Sequence, residues 1–345
     1  MFALGEPTHG IKEFPLLRND ILGHLVERGY RSVILETDFF AASIVDDHVA
    51  GAPTDLDTVL ATGFSHGFGA VPGNRELVGW LRAHNASTTP EDRVRFYGFD
   101  APTEYAFAPS PRRALNAVND FLPEGLRPGS VRELDTLLGA DTDWTNEAAM
   151  YDPAASIGDS DRARALRIIA DELATALDRA GSRPGYDQAQ AQARTGLGLL
   201  RYHAAMASHS SERIAAMLGV RAEMMAENLL AIVNRETRPG LVFAHNVHLN
   251  RTEDSAGGLV ARALGEKYLF VATDASPDSE PGTLQRVLAE ATDRRALFPA
   301  RALPRSVGTS KPIVPGHIPL SPADLDGADA VIFIADTDGQ RHRYW

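Results

Sequence analysis

No cysteine occurs anywhere in the 345 residues. That excludes disulfides, thiolate-bound zinc, iron–sulfur clusters and a cysteine nucleophile. Long apolar runs are missing too. None reaches the roughly 18 residues that a membrane-spanning helix needs, and no charged-then-apolar leader opens the chain. The expectation is a cytoplasmic protein with no membrane partner. Positive charge is the scarcer sign, with 34 Lys and Arg against 46 Asp and Glu and a formal charge of −12. Nucleic-acid footprints are basic, so no nucleic-acid partner is expected either. There is no internal repeat and no low-complexity segment.

Hydrophobic residues make up 44% and charged residues 23%, an ordinary globular balance. The length is enough for a large core and more than one layer. Apolar segments around Met1–Leu4, Ser32–Leu35, Arg93–Asp100, Gly240–Ala244, Tyr268–Ala272 and Ala330–Ile334 read as strands. The first is cut short by Gly5, which leaves two readings open: a start further upstream, or a missing preceding helix. Between the first two strands, Phe14, Leu17, Ile21, Leu22, Leu25 and Val26 recur at helical spacing until Gly29 ends the run. Further helices are expected over 40–49, from Leu56, and over 75–84. From about Pro111 to Arg238 only helical periodicity appears, longest over 166–177, 189–206 and 214–233. The stretch from Pro299 to Pro322 reads as an extended connection. The fold class expected is α/β, a mainly parallel sheet flanked by helices. Residues 1–105 and 239–345 would form the core, and 106–238 a helical insertion.

The chemistry sits where strands end. Leu4-Gly5-Glu6-Pro7-Thr8-His9-Gly10 delivers an acid and an imidazole, and Leu35-Glu36-Thr37-Asp38 delivers two carboxylates. Phe96-Tyr97-Gly98-Phe99-Asp100 ends in another acid, and Ala244-His245-Asn246-Val247-His248 carries two histidines. Parallel strands joined by helices bring their C-terminal ends to one edge. Glu6, His9, Glu36 and Asp38 should therefore meet in a crevice, joined by His245 and His248 if their strand is parallel. Carboxylates beside an imidazole make a general base, which suits water activation.

These motifs resemble the erythromycin esterase superfamily, which includes proteins labelled for succinoglycan biosynthesis. The match also includes Glu13-Phe14, Arg18, Trp80-Leu81-Arg82-Ala83-His84-Asn85 and Arg221 to Asn228, in family order across most of the chain. The resemblance implies a parallel sheet with a helical insertion lining a deep cleft. It implies His9 as the essential base, with Glu6, Arg18, Glu36, His245 and His248 around it. Glu6 or Glu36 would orient His9. His245 or His248 would stabilise an oxyanion or protonate the leaving alcohol, and Arg18 would order the carboxylates or bind an anionic group.

The candidate catalytic residues are thus His9, Glu6, Glu36, His245 and His248. Arg18, Asp38, His66, Arg75 and Asp100 are candidate substrate contacts, with Tyr105, Arg201 and Tyr202 as weaker ones from the insertion. No cofactor is expected. A divalent metal is the open alternative, with Glu6, His9, Glu36, His245 and His248 as its ligands, although no HExxH motif is present. Gly63-Phe64-Ser65-His66-Gly67 matches G-x-S-x-G but lacks the strand before and the helix after that a nucleophile elbow needs.

The expected function is hydrolysis of an ester or macrolactone in a bulky, natural-product-like small molecule, with macrolide resistance implied by the family alone. The loop after Gly63 departs from the family in lacking its usual Trp and Thr. That motivates an alternative, a non-hydrolytic lyase or cyclase of a natural-product pathway using the same residues. A second alternative is a non-catalytic protein that sequesters its ligand.

Overall fold

The computed structural model describes residues 1–103, 107–276 and 278–337. Tyr105 and His342 lie outside them. The chain divides into two compact units. One comprises Met1–Asp100 with Leu229–Trp345, the other Ala101–Asn228.

The first unit opens with β1 (Phe2–Glu6), α1 (Glu13–Glu27) and β2 (Ser32–Asp38). The apolar stripe of α1 buries Phe14, Leu17, Leu22 and Val26. Each such side chain, fully removed from water, contributes about 1.5–3 kcal/mol. Gly29 stops the helix in a left-handed conformation (φ 90°) that costs glycine nothing. Helices α2 (Ala42–Val49), α3 (Leu56–Thr62) and α4 (Asn74–Ala86) lead to β3 (Arg95–Asp100).

The second unit contains helices and short 3-10 turns, with no strand among its described residues. It comprises α5 (Arg112–Phe121), α6 (Leu134–Leu138), α7 (Asp161–Ala180), α8 (Tyr186–Met206) and the larger part of α9 (Arg213–Arg235). The Ser160 hydroxyl caps α7 by accepting the Ala163 N–H. Leu166, Ile169, Leu173 and Leu177 of α7 pack with Leu115, Val118 and Leu200 in this unit's own core.

The chain then completes the sheet with β4 (Gly240–His245), α10 (Asn246–Leu249), α11 (Ala256–Leu264), β5 (Leu269–Asp274), α12 (Leu284–Ala291), β6 (Arg295–Pro299) and β7 (Ala330–Ile334). The strand order is β3-β2-β4-β1-β5-β7-β6. All pairings are parallel except that of β6 with β7. Leu4, Val33, Phe96, Phe243 and Val271 from five strands share one core with Phe14 and Leu22 of α1.

The α/β class is as expected. β6 was not: 295–299 had no strand assignment. It is an edge strand with every residue at least partly exposed, so it lacks the buried apolar run that marked the others. The remainder of the expected extended connection, from Leu303 to Pro322, holds no regular helix or strand. No helix among the described residues is long and apolar enough to cross a membrane.

Candidate active site

The register of the central strands builds the site. Glu6 of β1 lies beside His245 of β4, and Leu35 of β2 beside Phe243, so Glu36 follows one residue short of His245, within reach of its backbone. The Glu36 Oε2 accepts the His245 backbone N–H at 2.8 Å. Gly5 cannot carry a side chain here, because a Cβ would stand 2.2 Å from the Asn246 Oδ1. That buried asparagine in turn donates from its amide to the Thr273 carbonyl at 2.9 Å, tying β4 to β5 across β1.

His9 is the centre of the cluster. Its Nδ1 stands 2.7 Å from Glu6 Oε1 and its Nε2 3.9 Å from Glu36 Oε2. The ring packs on Phe68 at 4.6 Å between centroids. A carboxylate accepts a proton, so the Glu6 contact places the ring hydrogen on Nδ1 and aims the Nε2 lone pair toward Glu36. Burial pulls the His9 pKa down. The Glu36 charge and the Glu6 hydrogen bond outweigh it and hold the pKa above the ordinary histidine value. Glu6 itself is raised, because the cost of burying its charge exceeds what His9 returns. Its Oε2 is buried without a hydrogen-bond partner among the described residues. It borders a small cavity, about 20 Å³ as swept by the centre of a water molecule, lined by Glu6, His9, Arg18, Glu36, Phe68 and Phe243 among others. That volume admits roughly one water.

The two histidines after β4 differ. His245 is committed on both ring nitrogens: Nε2 donates to the Pro7 carbonyl at 2.9 Å, and Nδ1 accepts the Val247 N–H at 3.3 Å. Burial, with the charge of His9 adding to it, pushes its pKa down to about 3, so it stays neutral. His248 sets its Nε2 3.2 Å from Glu36 Oε1 and is more open to solvent.

The remaining candidates scatter. Arg18 is 1% exposed. It donates to Asn74 Oδ1 at 2.8 Å and to the Gly73 carbonyl at 3.2 Å, and lies 5.0 Å over the Phe243 ring. It lines the cavity with Glu6 but bridges no carboxylate directly among the described residues. Burial pushes its pKa down to about 10, which leaves it charged at neutral pH. The Asp38 carboxylate accepts the Phe40 and Ala41 N–H groups at 2.8 and 2.6 Å and so shapes the turn after β2. Asp100, fully buried at the end of β3, holds His66 Nε2 at 2.9 Å. His66 is the one non-glycine with a positive φ (56°) among the described residues, and its ring faces Phe68 from 5.4 Å. Arg75 does not join the cavity; it pairs with Asp57 at the surface. Arg201, in the second unit, pairs with Glu223.

Ser65 is preceded by helix α3, and its Oγ accepts the Asp38 N–H at 2.8 Å beside the Thr37 hydroxyl. It is a loop fastener. Among the described residues no group of three or more His, Asp or Glu side chains is arranged to hold a metal ion. His245 could not join one as placed, since both of its ring nitrogens are engaged. The five candidate ligands as placed do not fit a resident ion.

The sequence reading assigned no role to the Pro7 carbonyl, to Asn246 or to a second buried pair, Asp274 with His317 Nε2 at 3.1 Å. For His317 the only sequence signal was a histidine in a long segment that otherwise lacks regular structure.

The family profile described as erythromycin esterase matches residues 25–337. Solved structures with a similar fold include a Bacillus cereus protein, with a TM-score of 0.73, 16% identity, and 97% of this chain and 88% of that one covered. A succinoglycan biosynthesis protein superposes with a TM-score of 0.68 at 14% identity, covering 97% and 87%. A mutant of the erythromycin esterase EreC in its open conformation gives 0.69 at 16%, covering 99% and 90%. No curated protein matches the sequence.

Proposed function

The chain belongs to the erythromycin esterase family, and from that premise we propose that it hydrolyses an ester or macrolactone of a bulky, natural-product-like molecule with water activated by His9. One observation carries the reading: an imidazole held by Glu6 at 2.7 Å on one nitrogen while the other faces Glu36 at 3.9 Å. That gap is beyond a hydrogen bond, and one water oxygen can span it.

In the proposed reaction His9 Nε2 takes a proton from this water as its oxygen attacks the carbonyl carbon. The carbonyl π electrons move to oxygen. Glu6 stabilises the imidazolium that forms, as an acceptor already in contact with Nδ1–H. Collapse of the tetrahedral intermediate expels the alcohol oxygen, which takes the proton held on His9 Nε2; the base is regenerated, and an acid and an alcohol leave. We assign the hydrogen-bond donor role toward the oxyanion or leaving oxygen to His248, because the one ring hydrogen of neutral His245 is spent on Pro7. No acyl-enzyme is invoked. Cysteine is absent, and Ser65 is tied to the backbone of Asp38. Arg18 contributes a fixed positive charge near Glu6.

The test is turnover followed by mass spectrometry on macrolides and simpler esters, with wild type and His9→Ala, each with and without a chelator. The expected result is a gain of one water, insensitive to the chelator and about 10²–10⁴-fold slower in His9→Ala, the range for loss of a general base. A gain that persists unchanged in His9→Ala overturns the role of His9. Conversion without a gain of mass overturns hydrolysis in favour of a lyase or cyclase.

A further inference from the structure

The segment after β6 has no regular structure from Leu303 to Ala323, yet its middle is pinned by a buried polar network. The Asp274 carboxylate at the end of β5 is fully buried and has four donors. They are the Ala275 N–H (2.8 Å), the Gln285 amide (2.8 Å), the Leu320 N–H (2.9 Å) and His317 Nε2 (3.1 Å). The other nitrogen of His317 accepts the Ile313 N–H at 3.0 Å. Gln285 completes the set, accepting the Ser310 N–H and donating to the Leu320 carbonyl. Loops ordinarily keep their polar groups at the surface, and a buried network is tolerable only when all its members are satisfied. This one is satisfied, and it rigidifies a stretch that has no helix or strand to do so.

The residue next to His317 shows what the rigidity serves. The Ile318 N–H donates to the Pro7 carbonyl at 2.9 Å, the same oxygen that receives His245 Nε2. Pro7 lies between Glu6 and His9, and its ring fixes φ. With both lone pairs of its carbonyl engaged, the loop that aims His9 between Glu6 and Glu36 is held from β4 on one side and from the pinned segment on the other.

We infer that Asp274 and His317 are positioning residues for His9, acting through the Ile318 N–H on the Pro7 carbonyl. Neither touches His9. Their effect on turnover rests on the proposed hydrolysis, but their effect on His9 itself does not. The experiment therefore reads His9 directly. Histidine rings are isotopically labelled, the His9 resonance is assigned by its loss in His9→Ala, and its titration is followed by NMR. Wild type is compared with His317→Gln, which keeps a donor toward Asp274, and His317→Phe, which keeps bulk and loses both hydrogen bonds.

His317→Phe is expected to move the His9 midpoint by about half a pH unit or more as its distances to Glu6 and Glu36 change. His317→Gln is expected to stay closer to wild type. On a hydrolysed substrate, kcat in His317→Phe should fall about tenfold with KM little changed, as for a misplaced catalytic group. Should His317→Phe fail to fold, Ile318→Pro removes the donor to Pro7 while keeping the Asp274 and His317 side chains, though it also fixes φ at 318 and restricts the His317 backbone; it is expected to shift His9 in the same way. A folded variant with an unmoved His9 titration overturns the positioning role, whatever its turnover. A shifted His9 in a protein that hydrolyses no ester upholds the positioning and overturns the hydrolytic reading alone.

Discussion

His9 in the first unit is mostly buried and His203 in the second fully so, and both pack on an aromatic ring, yet their surroundings push them in opposite directions. His9 packs against Phe68 with the rings tilted and has Glu6 and Glu36 beside it. His203 meets Trp144 at 5.0 Å, donates from Nε2 to the Pro109 carbonyl at 2.9 Å, and buries Nδ1 without a partner among the described residues. Burial lowers the His203 pKa, and a lone carbonyl does not restore it. At His9 the two carboxylates overcome the same penalty and raise the pKa. Burial alone makes a histidine a neutral packing residue; the carboxylates are what suit His9 to the proposed role of base.

The largest test of this contrast removes the carboxylates. The proposed hydrolysis needs neutral His9, so in wild type kcat/KM should rise with pH through a midpoint above about 6.5, the ordinary histidine value. Glu36→Gln and Glu6→Gln should each move that acid limb to lower pH and reduce the plateau by about 10²-fold. Limbs that stay in place in both variants, read from pH–rate profiles, would break the contrast.

Folding stability gives a smaller test with opposite signs at the two sites. The raised pKa of His9 stabilises the fold below about 6.5, and that contribution is lost as pH rises through the folded value. The lowered pKa of His203 does the reverse, costing stability as pH falls below about 6.5, by at most about 1.4 kcal/mol per pH unit. His245, pushed down to about 3, adds a loss of the same sign. Urea melts at pH 7.5 and 5.5 should thus show a smaller acid loss in His203→Gln than in wild type, and a larger one in His9→Gln. Equal losses in all three proteins would mean that neither site is linked to folding in this way.

The smallest expected effect is at Ser65. Ser65→Ala should leave turnover within a few-fold and cost about 1 kcal/mol in melts, the ordinary worth of a hydrogen bond. A loss approaching that of His9→Ala would instead restore the serine as a nucleophile.

The sequence made some of this legible and hid the rest for physical reasons. Buried strands such as Val33–Leu35 and Leu241–Ala244 show as apolar runs, and the polar residues that end them mark the sheet edge. The arrival of Glu6, Glu36 and His245 at one place follows from parallel pairing. β6 stayed hidden because an exposed edge strand has no apolar run to betray it. The commitment of His245, the hold of Gly73 on Arg18 and the Ile318–Pro7 bond all run through backbone atoms, which every residue possesses. No side-chain pattern announces them.

The strand order also has a consequence for how the protein is made. β1 lies between β4 and β5, whose residues begin at Gly240 and Leu269. A ribosome that has released only the first two hundred residues has made His9, Glu6 and Glu36 without either neighbour of β1. Such distant pairings pay their loop-closure cost before any contact rewards it, so they form late and leave unpaired strand edges exposed meanwhile. The nascent N-terminal third must therefore wait, soluble or sheltered by a chaperone, for the last third to close around it. A chain that stops short of Gly240 would carry Glu6, His9 and Glu36 of the candidate site and lack the strands that bring them together.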